Sequence, residues 1–395
     1  MIDVVDKYFS LNRTLLLIIG LWPYEKSKCV VIQMICIFCI VITCIIFQLT
    51  TLLTSKCTPD FIVKVLSIVI AFSSFIVKYI SFYVNSETIK CLARQLHHIY
   101  NDLNDNGEIA IVERYGNNAK CYTIVFTIIF TTGLFSFVGL QLWADFKHTI
   151  LSSNLSHSHE LLIDTEYIID EEKYFYLMFL HINMTIIIGC IIILATGAML
   201  VAYLQHACGM FKIASYRIEK AINIYYSVSK NIKVQNEMLA HDDIVRAVDM
   251  HRKAMTFSTH LISSFEMSFM FLIVIGVLSL SLNIFRIFQV ALIEHKIRKL
   301  FLNFLAASYC LLYMFMANFI GQQIIDCYND VFATAYKAQW YKTSLYVQRL
   351  IIILLQRGNK NFGLRVGGLF IASIECFATL FNASMSYFTL MYSVR

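Results

Sequence analysis

Seven apolar runs constrain the fold of this chain more than any other feature. Each is about 20 residues or longer, which is the length that an α-helix needs to cross the hydrocarbon core of a bilayer. A transmembrane β-barrel would instead show segments of about ten residues with alternating character. We therefore predict an all-α fold, a seven-transmembrane helical bundle with spans near residues 30–53, 61–84, 121–143, 174–206, 265–292, 300–325 and 362–392.

The distribution of Lys and Arg predicts the orientation, because cytoplasmic loops carry an excess of both. With the N-terminus in the cytoplasm, the inner segments 1–29, 85–120, 207–264 and 326–361 hold 21 of the 32 basic residues. The outer segments hold eight, including those of the basic loop 295–299. We predict a cytoplasmic N-terminus and an extracellular C-terminus, the reverse of a G-protein-coupled receptor. Asn154 begins a glycosylation triplet in a predicted outer loop.

The longest inner segment, 207–264, mixes apolar residues with charges and contains no proline. This pattern favours helices that extend the fourth, fifth and sixth spans beyond the membrane. Such extensions, with the inner segment 326–361, suggest a helical domain that packs subunits together. A solvated loop is the alternative, and the pattern leaves both open.

The chain shows no motif for enzymatic chemistry. It has no P-loop, Rossmann glycine pattern, nucleophile elbow or HExxH sequence. The twelve cysteines show no metal spacing, and the pair His157 and His159 is better read as part of a solvated acidic loop. The net charge of +6 is spread over several loops, which indicates membrane topology rather than nucleic-acid binding. We expect no enzyme activity, no cofactor and no metal.

Several ionisable residues fall within the spans, where such groups are costly, and Glu266 is one that lies at the inner end of the fifth span. Lys64 and Lys78 lie near opposite ends of the second span, from which their ammonium groups can reach the interface. Glu375 lies about a dozen residues into the 362–392 run. It could belong to a cation pathway, or it could be a buried, hydrogen-bonded group at a helix contact. The sequence leaves these two possibilities open.

The last span has a candidate gate. Ser386, Leu390 and Ser393 are spaced by four and three residues, which puts them on one face of a helix. Around a symmetry axis, one Leu390 per subunit would form an apolar ring, and such rings gate by dewetting. The many small residues of this span could instead serve close helix packing.

The outer halves of four spans also contain a candidate ligand pocket. Its residues are mostly aromatic, with few polar groups and one glycine, which suits a small and mostly apolar ligand. Aromatic residues at helical spacing also occur in ordinary cores, so both interpretations stay open. The candidate lining is Phe72, Ser73, Ile76, Ser136, Gly139, Trp143, Tyr176, His181, Met184, Phe304, Ser308 and Tyr309.

Short motifs lie along the last eighty residues, and two others lie near the start of the chain. They are Gly321-Gln322, Asp326, Ala335-Tyr336, Trp340-Tyr341, Gln356-Arg357, Gly367-Gly368, Glu375-Cys376-Phe377 and Ser386-Tyr387-Phe388-Thr389-Leu390, with Asn12-Arg13 and Gly20-Leu21-Trp22-Pro23 at the other end. With these motifs and its seven spans, the chain resembles the insect odorant receptor family along its whole length.

That resemblance implies an odorant-gated, non-selective cation channel for small volatile ligands. It implies a heterotetramer of odour-binding subunits with a shared co-receptor, in the plasma membrane of sensory neuron dendrites and in contact with membrane lipid. Leu390 falls at the gate position of the pore-lining helix, and Ser136, Gly139 and Trp143 match the third-span pocket pattern. The implied domains are a ligand-binding bundle at 1–325, an anchor segment at 326–361 and a pore helix at 362–395.

Two departures refine this resemblance. Segment 207–264 is too short for the insertion that the co-receptor carries, which favours an odour-tuning subunit. The chain has Ser386-Tyr387 where the related gustatory receptors have Thr-Tyr, and it lacks their following Gln-Phe. The alternative function is a seven-span chemoreceptor, gustatory-like or coupled to a transducer, without its own pore.

Overall fold

Helices make up almost all of the described chain. The computed structural model describes residues 7–25, 27–54, 58–151, 171–227, 233–294 and 297–393. Within these ranges the elements are α1 Ser10–Ile18, α2 Lys28–Thr54, α3 Pro59–Val84, α4 Ser86–Asn101, α5 Asn106–Leu151, α6 Glu171–Ser227, α7 Lys233–Ser264, α8 Glu266–Gln289, a π-turn Val290–Glu294, α9 Ile297–Lys337, a 3₁₀ turn Trp340–Lys342, α10 Leu345–Gly358, β1 Arg365–Val366, β2 Phe370–Ile371 and α11 Ile374–Ser393. The predicted all-α helical bundle is confirmed, with one short hairpin added.

Six of the described helices, α2, α3, α5, α6, α8 and α9, are long and apolar enough to cross a membrane. They correspond to the first six predicted spans. The seventh corresponds to α11, which has 20 residues and a length of about 30 Å, close to the thickness of a hydrocarbon core. One face of this helix is polar.

The extensions predicted for segment 207–264 are helical in the structure. Helix α6 runs for 57 residues, with a break in helical geometry at Tyr174, and α7 packs along its second half. Small buried residues let the neighbouring helices approach α6 closely, including Ala195, Ala198, Ala202, Ala207 and Ala214. The α6 extension, α7, the end of α9 and α10 form one end of the molecule, which we call the polar end.

Ion pairs hold the polar end together. Arg217 on α6 binds Glu108 at the start of α5 through two nitrogens, Nε to Oε1 at 2.6 Å and Nη2 to Oε2 at 2.9 Å. Lys220, also on α6, donates to Asp105, and this hydrogen bond holds the pKa of Asp105 down at about 2. Two-point Arg–carboxylate contacts fix orientation as well as distance. The start of α5 is therefore fixed against the second half of α6.

A buried histidine on α7 makes the polar end sensitive to acid. His251 packs against the rings of Phe211, Tyr328 and Phe332, with centroids 5.3 to 5.5 Å away. Its Nε2 has no hydrogen-bond partner among the described residues. Burial, and then the charge of Arg357, lowers the pKa of His251 to about 4. The neutral imidazole is therefore the form that this core accepts.

We expect the folded protein to lose stability as the pH falls from about 6.5 towards 4. In that range His251 takes up a proton in the unfolded state but not in the folded state. Proton binding therefore stabilises the unfolded state relative to the folded one. Between pH 7.5 and 4.5, the free energy of unfolding should fall by about 2–3 kcal/mol, since each pKa unit corresponds to about 1.4 kcal/mol. His251→Phe should flatten the pH dependence of Tm for the detergent-solubilised protein. Parallel Tm curves for variant and wild type would contradict this assignment.

The segment before the last helix corrects one prediction. Residues 362–373 were predicted to be helical, but they contain the antiparallel hairpin of β1 and β2, with Val366 paired to Phe370. Gly367 and Gly368 form its turn with φ of +61° and +66°, a conformation that glycine adopts without strain. Helix α11 therefore begins at Ile374, and Ser373 caps it by accepting from the backbone N–H of Cys376 at 3.1 Å. Glu375 lies in its first turn, not deep inside a span.

Candidate functional site

A large cavity lies between α3, α5, α6, α8 and α9. Its volume is about 340 Å³, which is within the range of sites for small molecules. We call it the bundle cavity. Apolar and aromatic side chains form most of its wall, for example Ile68, Phe72, Phe75, Phe130, Phe137 and Leu272. The arrangement suits a ligand with a mostly apolar body.

A second cavity of about 210 Å³ lies beside it and reaches the terminal segment of the chain. It touches the hairpin at Val366 and Phe370 and the first half of α11 at Cys376 and Leu380. The two cavities share a wall that is formed by Phe130, Ile193, Leu272, Gly276, Tyr309, Cys310 and Tyr313. The bundle cavity thus borders a second cavity that reaches α11.

Tyr309 is held firmly in the shared wall. Its hydroxyl donates to the carbonyl oxygen of Ile129 at 2.8 Å, and its ring packs near Phe130 with centroids 5.4 Å apart. Gly133 leaves the room that this hydroxyl occupies, because a Cβ on Gly133 would overlap with it. A larger residue in place of Gly133 would displace the side chain of Tyr309.

The structure brings two of the twelve predicted pocket residues, Phe72 and Tyr309, to the bundle cavity. His181 instead contacts α2, where its Nε2 lies 3.1 Å from the hydroxyl of Thr43. Ser73 and Ser136 bond to carbonyls of their own helices, and Ile76 packs against the main core. The side chain of Trp143 and the whole of Asn154 lie outside the described residues. The remaining members lie partly or largely exposed, away from the cavity wall: Gly139, Tyr176, Met184, Phe304 and Ser308.

The terminal helix α11 has two contrasting faces. One face packs against α8 through Leu380, Ser384 and Phe388, which are buried. The opposite face is exposed in the single chain and follows a stripe about 80° wide at 100° per residue. Its members are Glu375, Thr379, Asn382, Ser386, Leu390 and Ser393. We call this the polar stripe, since Leu390, which is 59% exposed, is its one large apolar residue.

The sequence predicts three residues of this stripe, and the same helical spacing would have predicted the others. Ser386, Leu390 and Ser393 lie on it, as the spacing predicts, and the same spacing extends back through Asn382 and Thr379 to Glu375. Glu375 is exposed at the start of the stripe, so a buried hydrogen-bonded role is excluded for it within the single chain.

Helix α8 lies between the bundle cavity and α11. One side lines the cavity with Gly276, Ser279 and Asn283. The other side donates a hydrogen bond from the Ser281 hydroxyl to the carbonyl of Ser384 at 3.0 Å. The rings of Phe288 and Phe388 meet further along, with centroids 5.0 Å apart. Helix α8 therefore touches both the bundle cavity and α11.

The base of α11 is fixed to α9. The backbone N–H of Ser373 donates to the Asn318 side chain at 3.3 Å, and that of Ile374 donates to Gln322 at 3.4 Å. Gly321 lets the backbone of Ala372 approach, since a Cβ on Gly321 would overlap with it. The motif Gly321-Gln322 thus serves to hold the start of the terminal helix.

Comparison with known proteins identifies this architecture. The family model described as 7tm Odorant receptor matches residues 58–385. The chain belongs to the odorant receptor family. Two solved structures of the insect olfactory receptor OR5 from Machilis hrabei share the fold of this receptor. The one in complex with eugenol is 14% identical with a TM-score of 0.73, and the other is 15% identical with a TM-score of 0.75. Each comparison covers 99% of both chains. The comparison with curated proteins gives no match.

Membership of this family places the receptor among membrane chemoreceptors rather than enzymes. Among its described residues, no group of three or more His, Cys, Asp and Glu side chains could hold a metal ion. His157 and His159 lie outside the described residues. Within the described part of the receptor, the bundle cavity and the polar stripe are the features on which the proposal below is built.

Proposed function

We propose that this receptor is an odour-tuning subunit of an odorant-gated, non-selective cation channel. The observation that carries the proposal is the polar stripe on α11, which the single chain leaves exposed while it buries the opposite face. Hydroxyl, amide and carboxylate groups on a helix of membrane-spanning length need water or another subunit. A central pore surrounded by several copies of α11 supplies the water.

Leu390 is the proposed gate in this pore. Its side chain projects from the stripe between Ser386 and Ser393, so symmetric copies would meet as an apolar ring flanked by hydroxyls. An apolar constriction stops ions by excluding water when it is narrow, and nearby hydroxyls keep it wet when it widens. Glu375, at the opposite end of the stripe, would concentrate cations at that mouth of the pore.

An odorant in the bundle cavity would open the gate through α8. Since α8 lines the cavity and binds α11 at Ser384, a ligand that favours one position of α8 favours one position of α11. A ligand shifts this equilibrium only by the difference in its affinity for the closed and open states. The eugenol complex of OR5 supports a cavity ligand in this receptor, because the two chains share one fold.

The polar end is proposed to be cytoplasmic and to join the subunits. Its helix α10 exposes large apolar side chains, including Leu345 and Ile353. Partner subunits would cover them in a heterotetramer with the co-receptor. This proposal keeps the predicted orientation, with the C-terminus extracellular, the plasma membrane location, and the division at 325 and 361 into bundle, anchor segment and pore segment.

Recordings from excised membrane patches test the proposal against a receptor that signals through a cytoplasmic transducer. We expect odorant-evoked cation current to persist in patches without cytosol when this chain is expressed with the co-receptor. Patches with the co-receptor alone provide the control and should lack the odorant response of this chain. Loss of the current in every excised patch, with responses intact in whole cells, would favour the transducer-coupled alternative.

A further inference from the structure

The bundle cavity contains a buried ammonium group. Lys78 is 4% exposed, and its side chain lines the cavity. Its Nζ lies 4.5 Å from the centroid of the Tyr313 ring. No described carboxylate pairs with it, and no described group accepts a hydrogen bond from it. The sequence interpretation, in which Lys78 reaches the membrane interface, is therefore wrong.

A buried ammonium group destabilises the protein unless another group compensates its charge and accepts its hydrogen bonds. An ammonium has three donors, and a single aromatic face satisfies its charge only in part. Burying a charge without a partner destabilises a protein strongly. The other buried cation of the cavity wall, Arg286, is different, because it donates to Gln289 at 2.8 Å and so has a structural role. Lys78 thus has donors without a described protein acceptor, and it lines the space that a ligand would fill.

The shape of the cavity places Lys78 at one end. Helices α3 and α8 are antiparallel, since Ser81 near the end of α3 donates to Ser268 near the start of α8 at 2.8 Å. Lys64 lines the opposite end of the cavity, 14 residues or about 21 Å along α3. Between them the wall is largely apolar, and none of its described residues is acidic.

We propose that the bundle cavity binds ligands with a carboxylate head and an apolar chain, and that Lys78 binds the carboxylate. The apolar chain lies along the wall formed by Phe72 and Phe75 and points towards Lys64. This inference rests on the proposed function, in which the same cavity receives the odorant, and it names the class of ligand. A neutral alcohol or ester of the same length would fill the cavity without compensating the ammonium.

Octanoic acid, methyl octanoate and 1-octanol test this proposal as matched probes on the receptor expressed with its co-receptor. Wild type should respond to octanoate at a concentration at least tenfold lower than to the ester. Lys78→Met should raise the EC50 for octanoate at least tenfold and leave that for 1-octanol within twofold. Lys78→Arg should keep most of the preference for the acid. Lys253→Gln, which removes a surface cation paired with Asp249, is the control for a general charge effect.

A binding measurement separates this inference from the channel proposal. Octanoate should raise the Tm of the detergent-purified wild-type receptor, as any ligand of the folded state does, and Lys78→Met should abolish the shift. If octanoate stabilises wild type in this way but no ligand evokes current, the channel proposal fails and the ligand assignment stands. Equal effects of octanoate on wild type and Lys78→Met, or an unchanged preference between acid and ester, overturn the ligand assignment.

Discussion

Replacing Leu390 with serine should give the receptor a large resting current without odorant. The side chain is 59% exposed on α11 and is the one large apolar group of the polar stripe. In the proposed pore, a hydroxyl in its place would let water remain in the closed constriction, so the barrier to ions would fall. We expect resting current to rise about fivefold or more, which corresponds to about 1 kcal/mol in the closed–open equilibrium. Leu390→Ala should act in the same direction by widening the ring.

Met391→Ser provides a matched control for this experiment. Met391 is the next residue along the chain, but it lies 100° round the helix and off the stripe. The same substitution there should leave resting current near the wild-type value. Whole-cell recording with surface labelling measures both variants. An unchanged resting current in Leu390→Ser at normal surface expression would exclude this residue as the gate, and so would an equal increase in the control.

Filling the bundle cavity should weaken the odorant response strongly and leave the channel intact. Ala71 lines the cavity on α3, one turn from Phe75, so Ala71→Trp places an indole in the proposed ligand space. We expect the EC50 for activating odorants to rise at least about tenfold, or more than about 1.4 kcal/mol in apparent binding. Resting current and currents driven through the co-receptor should stay unchanged, since α11 is not altered.

Ile80→Trp is the control, because it adds the same side chain to the same helix at a position that is partly exposed and away from the cavity. It should respond as wild type does. Trp143→Ala tests the third-span pocket predicted from the sequence in the same assay. If Trp143→Ala changes odorant sensitivity while Ala71→Trp does not, the ligand binds near the third-span set and not in the bundle cavity.

The sequence predicts the helices well because their signal is local. Runs of apolar residues of bilayer length define six spans, and the charged, proline-free pattern of 207–264 predicts the extensions of α6 and α7. The hairpin before α11 was missed because its strands are only two residues long and lie inside an apolar stretch. Gly367-Gly368 was the available signal, since two successive glycines favour a turn.

The cavity was harder to predict than the polar stripe. A stripe can be predicted from residue spacing within one helix, and the spacing of Ser386, Leu390 and Ser393 is enough to place these three residues on one face. A cavity depends on how each of several helices is rotated about its axis, and one chain's sequence does not contain that rotation. The sequence places Tyr176 and Phe304 in the predicted lining because they are aromatic and lie in the outer halves of their spans. In the structure they are 74% and 61% exposed.

Because the start of α11 is fixed, the helix can tilt about that end. Ala372, Ser373 and Ile374 are held against α9, while the far end lies farthest from this fixed start and contacts α8 at Ser384 and Phe388. Leu390 lies 16 residues beyond Ile374, about 24 Å along the axis. A tilt of about 5° at the fixed start would carry Leu390 sideways by about 2 Å at that distance. In the proposed pore, a displacement of α8 at Ser384 would therefore be larger at Leu390, and facing copies of α11 would double the change in width.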